Sequence, residues 1–444
     1  MNSALQREIT LPSVLKFTLP SIIMMVVMSL YTVVDGMFVS RLIGTDAFSA
    51  VNIVYPLGSI LIGLGTMLGA GITAIVSTQL GEGRQKTANQ NFTFIIIFAV
   101  ILGMVLTIVC LFFLDDIIFL LGSNEEIFHY CKAYALPLAL FTTANILQFP
   151  FQNLYVANGK PAIGLILTTI GGVTNIVLDY VFIAILDMGI AGAAVATGIG
   201  YSIPAIFGLI YFSLNRKGPL HFVKPKVNWS VLLYTMGNGS SEMVNYLSTS
   251  VTTLLFNIIM MKFAGQNGVA AIAILLYLDF ILIAVNLGYS MGAAPLFSYN
   301  YGCGDREKLR KLFRLSSTFC ILTGIIMTIG TLLFVRPLTT IFAVPDSDVF
   351  TLAAAGLKIY AFSYLFKGVS IFSSAMFTAF GNGRVSALLS LLRTFVFLTA
   401  SLLGLSALFG ITGVWYATPL AEFLAFAVSL FFIWRYRSTY HLFS

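Results

Sequence analysis

The chain has 444 residues, of which 58% are hydrophobic and only 9% charged, with a formal net charge of +7. Soluble domains carry about a quarter charged residues, so this composition excludes a soluble globular protein and predicts an all-α integral membrane protein. The basic residues lie in short segments between apolar runs, which fits orientation in a lipid bilayer and argues against a nucleic-acid partner.

Apolar runs of about 20 residues predict helices that cross a membrane. A polar start, Met1–Leu11, leads without a cleavable signal into the first span, 13–39, which carries Pro20 and Asp35. A proline ahead of a buried acid can kink the helix and free backbone carbonyls. The second span, 53–79, holds Gly63-Leu-Gly-Thr-Met-Leu-Gly-Ala-Gly71, a surface for close helix packing. Spans at 92–114 and 128–156 follow, then 161–186, in which only Asp179 and Tyr180 are ionisable. An intramembrane carboxylate is costly and by default marks an ion or substrate path. Asn175 and Asp179 are four residues apart and share one helix face. The sixth span, 190–213, carries Thr197. At about 1.5 Å per residue, Asp35, Asp179 and Thr197 lie roughly 9–12 Å from the same membrane face. Two carboxylates, an amide and a hydroxyl at one depth suit a proton or a small cation, Na⁺ included.

A basic, proline-containing linker begins at Asn215 and separates an N-terminal six-helix lobe, 1–214, from a second, 231–444, with 215–230 between them. The second set of spans reads 231–261, 269–299, 314–335, 352–380, 385–408 and 411–434. Near its midplane stand Glu242, Asp279, Arg393 and Glu422, with Lys367 deeper toward the inner side. So many charges in hydrocarbon demand partners. They either neutralise one another across helices, or some of them, Glu242 above all, face a central cavity and touch cargo. Lys132 and Lys358 sit near span ends, where long side chains reach the interface.

With the N-terminus inside, the inner segments carry 17 Lys and Arg residues and the outer loops only Arg41, Lys262 and Arg336. That bias places both termini and the linker in the cytoplasm. The two sets are also copies of each other. At a shift of 221 residues, Leu80-Gly-Glu-Gly-Arg84 falls on Tyr301-Gly-Cys-Gly-Asp305, and Gly189-Ile-Ala-Gly falls on Gly410-Ile-Thr-Gly. Gly44 likewise meets Gly265. Six spans per copy give parallel repeats around a cavity, the build of alternating-access carriers. The copies differ where charge matters: Asp35 corresponds to Phe256, Asp179 to Ala400 and Pro20 to Ser241.

Other chemistries find no support. The four cysteines are far apart, the three histidines form no metal-binding pair, and Gly159-Lys160 is followed by proline rather than by a phosphate-loop Ser or Thr. No catalytic site and no cofactor are expected. An intramembrane aspartyl protease would need a Gly-x-Gly-Asp setting, which is missing. Some of the many aromatic residues, 14% of the chain, are available to line a cavity for flat organic cations.

Taken together, Val33-Val-Asp-Gly-Met-Phe-Val-Ser40, Pro20, the paired loops and the group Asn175, Asp179 and Thr197 resemble the multidrug and toxic compound extrusion (MATE) family. The likeness covers nearly the whole chain, and Gly239-Ser-Ser-Glu242 is similar to the MepA-like bacterial branch. It implies a V-shaped, monomeric carrier in a bacterial cytoplasmic membrane. Such a carrier exports amphipathic organic cations and other drugs in exchange for H⁺ or Na⁺. It also implies a first-lobe cation site at Asp35, Asn175, Asp179 and Thr197, with the backbone carbonyl of Ala193 as a further ligand. Where some members carry acids in the seventh and tenth helices, this chain has Leu247 and Lys367. The rival within the same superfamily is a flippase for lipid-linked saccharides, whose anionic cargo calls for a cavity rich in arginine and lysine.

Overall fold

Long apolar runs satisfy their backbone hydrogen bonds internally only as helices, and every regular element among the described residues is helical. The computed structural model describes residues 4–6, 8–43, 45–216 and 218–443, apart from the side chains of 4, 36–42, 45, 46 and 48. Arg7, Gly44, Lys217 and the side chain of Arg41 therefore lie outside the described residues.

In the first half, α1 (Leu11–Leu42) runs unbroken through Pro20, and α2 (Thr45–Gly81) follows it. After α3 (Gln85–Phe112) come a short α4 (Leu114–Leu120), α5 (Glu125–Leu140) and α6 (Thr142–Ala157). Then α7 (Pro161–Asp179) passes directly into a π-helical turn, Tyr180–Ile185, and α8 (Gly189–Leu214) closes the half. In the second half, α9 (Trp229–Gly302) bends at Gly265, which is non-helical at φ +58°. It is followed by α10 (Arg306–Leu333), a short α11 (Val335–Thr340), α12 (Asp348–Tyr360) and α13 (Tyr364–Ala379). The last rod is α14 (Gly383–Leu391), a π turn at Leu392–Phe397, and α15 (Leu398–Arg435), bent at Gly410. Nine helical stretches among the described residues are long and apolar enough to cross a membrane. Exposed apolar stripes, such as Ile97, Ile101, Met104 and Ile108 on α3, are suited to lipid contact.

Three starts lie seven or eight residues earlier than hydropathy predicts, the span expected from 53 beginning at Thr45. The span expected from 92 begins at Gln85, because its polar first turns find partners. Asn89 Oδ1 accepts the His221 N–H at 3.1 Å, Thr93 Oγ1 accepts that of Val223 at 3.1 Å, and Asn91 donates to Gln79 at 3.1 Å. The span expected from 314 begins at Arg306, capped by Asp305, whose Oδ1 accepts the Lys308 N–H at 3.0 Å. Neither α4 nor α11 is predicted, yet their first residues are 221 apart, the same shift as the repeat. Gly189 and Gly410, also 221 apart, take φ +57° and +59°, and Gly83 and Gly304 take +74° and +69°.

The two halves meet most closely where α2 lies against α9. A Cβ on Gly81 would strike the Tyr299 carbonyl, and one on Gly302 would strike the Thr78 carbonyl, a reciprocal contact between residues 221 apart. Only glycine allows backbones that near. The linker lies at this same end: Gln85 donates to the Pro219 carbonyl at 3.0 Å, and the Leu220 N–H donates to Asn158 Oδ1 at 3.1 Å. The turns at 82–84, 158–160 and 303–305 therefore share one face of the molecule with the linker.

Candidate functional site: an acid pair in the first half

The carboxyl groups of Asp35, from α1, and Asp179, from the last position of α7, face each other within hydrogen-bond reach. Neither Asp179 oxygen has a donor, nor does Asp35 Oδ1, although Asp179 is fully buried. The reason is chemical. Two carboxylates offer only acceptors, so a bond between them needs a proton on one or a cation between them. One helical turn before Asp179, the Asn175 amide donates to Thr197 Oγ1 at 3.4 Å, and its own Oδ1 is without a partner. Three unsatisfied carboxyl oxygens and one amide oxygen thus converge in a buried region, a donor set fit for H⁺ or a small hard cation.

Local folding sets this geometry. The π turn after Asp179 widens the helix at the acid, a device that recurs at functional sites. Close packing brings α1 alongside: a Cβ on Gly172 would overlap the Tyr31 ring, so glycine there lets α1 approach α7. Ala193 lies one turn before Thr197 on α8, buried against Ile183 and Ile190. The structure thus brings Asp35 beside Asp179 and, one helical turn away, Asn175 beside Thr197.

Sequence reading missed a group of tyrosines around the pair. Tyr31 and Tyr134 lie within electrostatic reach of Asp35, and Tyr134 also of Asp179. Tyr201 is near Tyr31, Tyr134 and Tyr246. Tyr246, on α9, is in turn near Glu242, Tyr55 and Tyr31. These rings come from both halves and bridge the first-half acids to Glu242. With 19 tyrosines in the chain, nothing local marks these few; only the packing selects them.

In the second half four of the five charges are paired. Lys367 donates to Asp279 Oδ1 at 2.5 Å and to the Tyr360 hydroxyl at 3.1 Å. Its ammonium also lies over the Tyr360 and Tyr364 rings, at 4.7 and 5.4 Å from their centroids. Arg393, within the second π turn, donates through Nε to both Glu422 oxygens at 3.1–3.2 Å. Glu242 has Asn245 and Arg393 nearby, but the Arg393 Nε–H is committed to Glu422. Lys132, expected to reach the interface, is half-exposed and pairs with Asp115 at 2.8 Å.

Comparison with known proteins agrees with this architecture. A family model described as MatE matches residues 20–181 and 243–401. The multidrug export protein MepA of Staphylococcus haemolyticus (strain JCSC1435) is 26% identical over 432 residues, covering 96% of this chain and 94% of the relative. MepA of Staphylococcus aureus (strain MSSA476) is 25% identical over 437 residues, with the same coverage. Among solved structures, a crystal structure of MATE in complex with MaL6 superposes with a TM-score of 0.93 at 22% identity, covering 98% of both chains. An outward-facing multidrug resistance MATE family transporter of the MOP superfamily gives 0.92 at 22% identity, again covering 98% of both chains. The helical architecture is that of these transporters, and the chain, a helical membrane protein, belongs to the MatE family.

Proposed function

We propose that the chain is a secondary antiporter that exports amphipathic, mostly cationic organic compounds in exchange for H⁺ or Na⁺ by alternating access. The observation that carries this reading is the acid pair: unsatisfied carboxyl oxygens of Asp35 and Asp179, with Asn175 and Thr197 beside them. A group that must be neutralised by an incoming ion, and that attracts a cation once the ion leaves, is the minimal exchange device. The tyrosine faces leading to Glu242 supply a surface for flat cations. The names of the MepA relatives, multidrug export proteins, support drug export.

The architecture behind the exchange is proposed as twelve spans in two six-helix lobes, 1–214 and 231–444. Cutting α9 at Gly265 and the last rod at Gly410, and counting α5 with α6 as one broken span, turns nine stretches into twelve. The matched glycine conformations 221 residues apart support the repeat. For the flippase reading, a cavity with free basic groups is required. Here the deep Lys367 and Arg393 are held by Asp279 and Glu422, which favours cationic cargo.

Purified protein in liposomes is expected to expel a fluorescent monovalent cation when an opposing proton or sodium gradient is imposed. Absence of efflux under both gradients, with translocation of a lipid-linked saccharide instead, would establish the flippase. The orientation is tested separately on a cysteine-free background. A cysteine at Lys308, on the face that carries the linker, is expected to resist impermeant thiol reagents applied outside whole cells. One at Glu125, at the opposite end of its helix pair, is expected to react. Reversed labelling would invert the topology.

A further inference from the structure

A cavity of about 290 Å³ opens on the linker face, on the seam between the halves and away from the acid pair. It lies between the end of α2, the two ends of α9 and the turn after α13. A cavity of about 150 Å³ takes benzene, so this one has room for two fused rings with a small polar group. Tyr234, Tyr301 and Phe380 line it from the second half and Ile75 from the first. Tyr234 is 50% exposed and Tyr301 37%, so two rings stand open for a ligand's rings to cover. This aromatic wall is preformed. Phe380 stacks on Tyr440 with centroids 4.3 Å apart and lies 5.4 Å from Tyr301. The Tyr234 hydroxyl donates to the Gly381 carbonyl at 2.8 Å, and a Cβ on Gly381, at φ +76°, would overlap that hydroxyl. Rings fixed in advance cost a ligand little further ordering.

The charge at this cavity is opposite to that of the acid pair. Arg84 is the one charged side chain lining it among the described residues. Its Nε donates to Glu82 at 2.6 Å and its Nη2 donates to the same oxygen, which leaves three of the five guanidinium N–H groups. Gln79, whose Oε1 accepts from Asn91 at 3.1 Å, keeps its N–H₂ as a further donor. Lys86, Lys224 and Lys226, in the segments around this face, add positive potential. Donors and positive charge beside open aromatic rings select a flat aromatic anion and disfavour cationic cargo.

The walls belong to both halves: Ile75, Gln79 and Arg84 come from the first, and the three rings from the second. Close backbone contacts flank the cavity along the seam. A Cβ on Gly71 would strike the Thr235 carbonyl, and one on Gly81 the Tyr299 carbonyl. We propose that this cavity is an inner regulatory site for a flat aromatic carboxylate or sulfonate, whose binding holds the two halves together at the linker face. The inference rests on the alternating-access reading above, in which this face opens by parting α2 from α9. Parting them splits the site, so its occupant binds the closed arrangement alone. A ligand shifts such an equilibrium by its differential affinity, about tenfold when present at ten times its Kd.

The probe is 1-naphthalenesulfonate, with 1-naphthalenemethanol as its uncharged counterpart. In equilibrium dialysis the full-length protein in detergent is expected to bind the sulfonate beyond empty micelles, and more tightly than the alcohol. Arg84 is exposed, so Arg84→Gln retains the fold. It should weaken sulfonate binding about tenfold and leave the alcohol unchanged, as expected when a charge-assisted hydrogen bond is lost. Tyr301→Ala should weaken both. Bound sulfonate should also slow amide deuterium uptake in residues 74–82 and 299–304 together, which reads closure without any transport. In liposomes, sulfonate on both sides at ten times its Kd should slow cation efflux about tenfold relative to the same protein without it, and far less in Arg84→Gln. Equal affinity for the two probes, or an Arg84→Gln variant that binds sulfonate as wild type does, would overturn the site. Slowed deuterium uptake in one half only, or efflux at full rate with the site filled, would overturn its hold on the halves. If no efflux occurs even without sulfonate, the exchange reading fails, and the binding and deuterium measurements still decide this site.

Discussion

Asp179→Asn is expected to fold and to bind drug, yet to lose all gradient-driven efflux. Asparagine keeps the size and polarity of the side chain, so the packing around α7 and its π turn is retained. It removes the group that, in the proposed exchange, an ion must neutralise. Asp35→Asn should have the same effect, and the double variant should be no worse than either single one, because two carboxyls in hydrogen-bond reach titrate as one unit. Dye accumulation in liposomes, with binding measured separately, distinguishes this outcome from a loss of cargo affinity. Magnitudes limit the stoichiometry. One monovalent ion exchanged for one monovalent cation moves no net charge, and a tenfold ion gradient then supplies only about 1.4 kcal/mol. A second ion would add a net charge, worth about 2.3 kcal/mol per 100 mV of membrane potential. Two acids make that second scheme available. Efflux of a monovalent dye should accordingly respond to an imposed potential.

Lys367→Met carries the largest expected effect on stability. Its ammonium is buried, held by Asp279, the Tyr360 hydroxyl and two aromatic faces. Removing it strands a carboxylate in low dielectric, at a cost of about 3–5 kcal/mol, whereas replacing both partners by apolar groups is often nearly neutral. The expected result is a sharp fall in monodisperse protein after detergent extraction, largely recovered in Lys367→Met combined with Asp279→Leu. A normal yield accompanied by an altered drug profile would instead make Lys367 a cargo contact.

Asp35 and Asp179 are legible in the sequence because an isolated acid in an apolar run is too costly to persist without a task. A depth count along helices of fixed rise is then enough to bring them together. Span limits are less legible: hydropathy sees only lipid-facing residues, and it stops short where Asn89 and Thr93 satisfy the linker backbone. The pairing of Lys367 with Asp279 joins residues 88 apart in sequence, and their charges alone do not choose between that partner and Glu422. Neither the π turns nor the short α4 and α11 leave a hydropathy signal. Pro20 predicts a kink, and α1 continues through it. A proline in a membrane helix marks a place where bending is cheap, and which conformer is adopted depends on the packing around it.

The most direct test is ion displacement by drug at equilibrium. Purified wild-type protein in weakly buffered detergent, titrated with a monovalent cationic dye, is expected to release at least one H⁺ per dye bound, read with a pH indicator. If sodium is the coupling ion, the release is read instead with a sodium-selective electrode. Asp179→Asn should bind the dye and release neither ion. Dye binding that displaces no ion from the wild type, or equal displacement from Asp179→Asn, would contradict exchange at this acid pair.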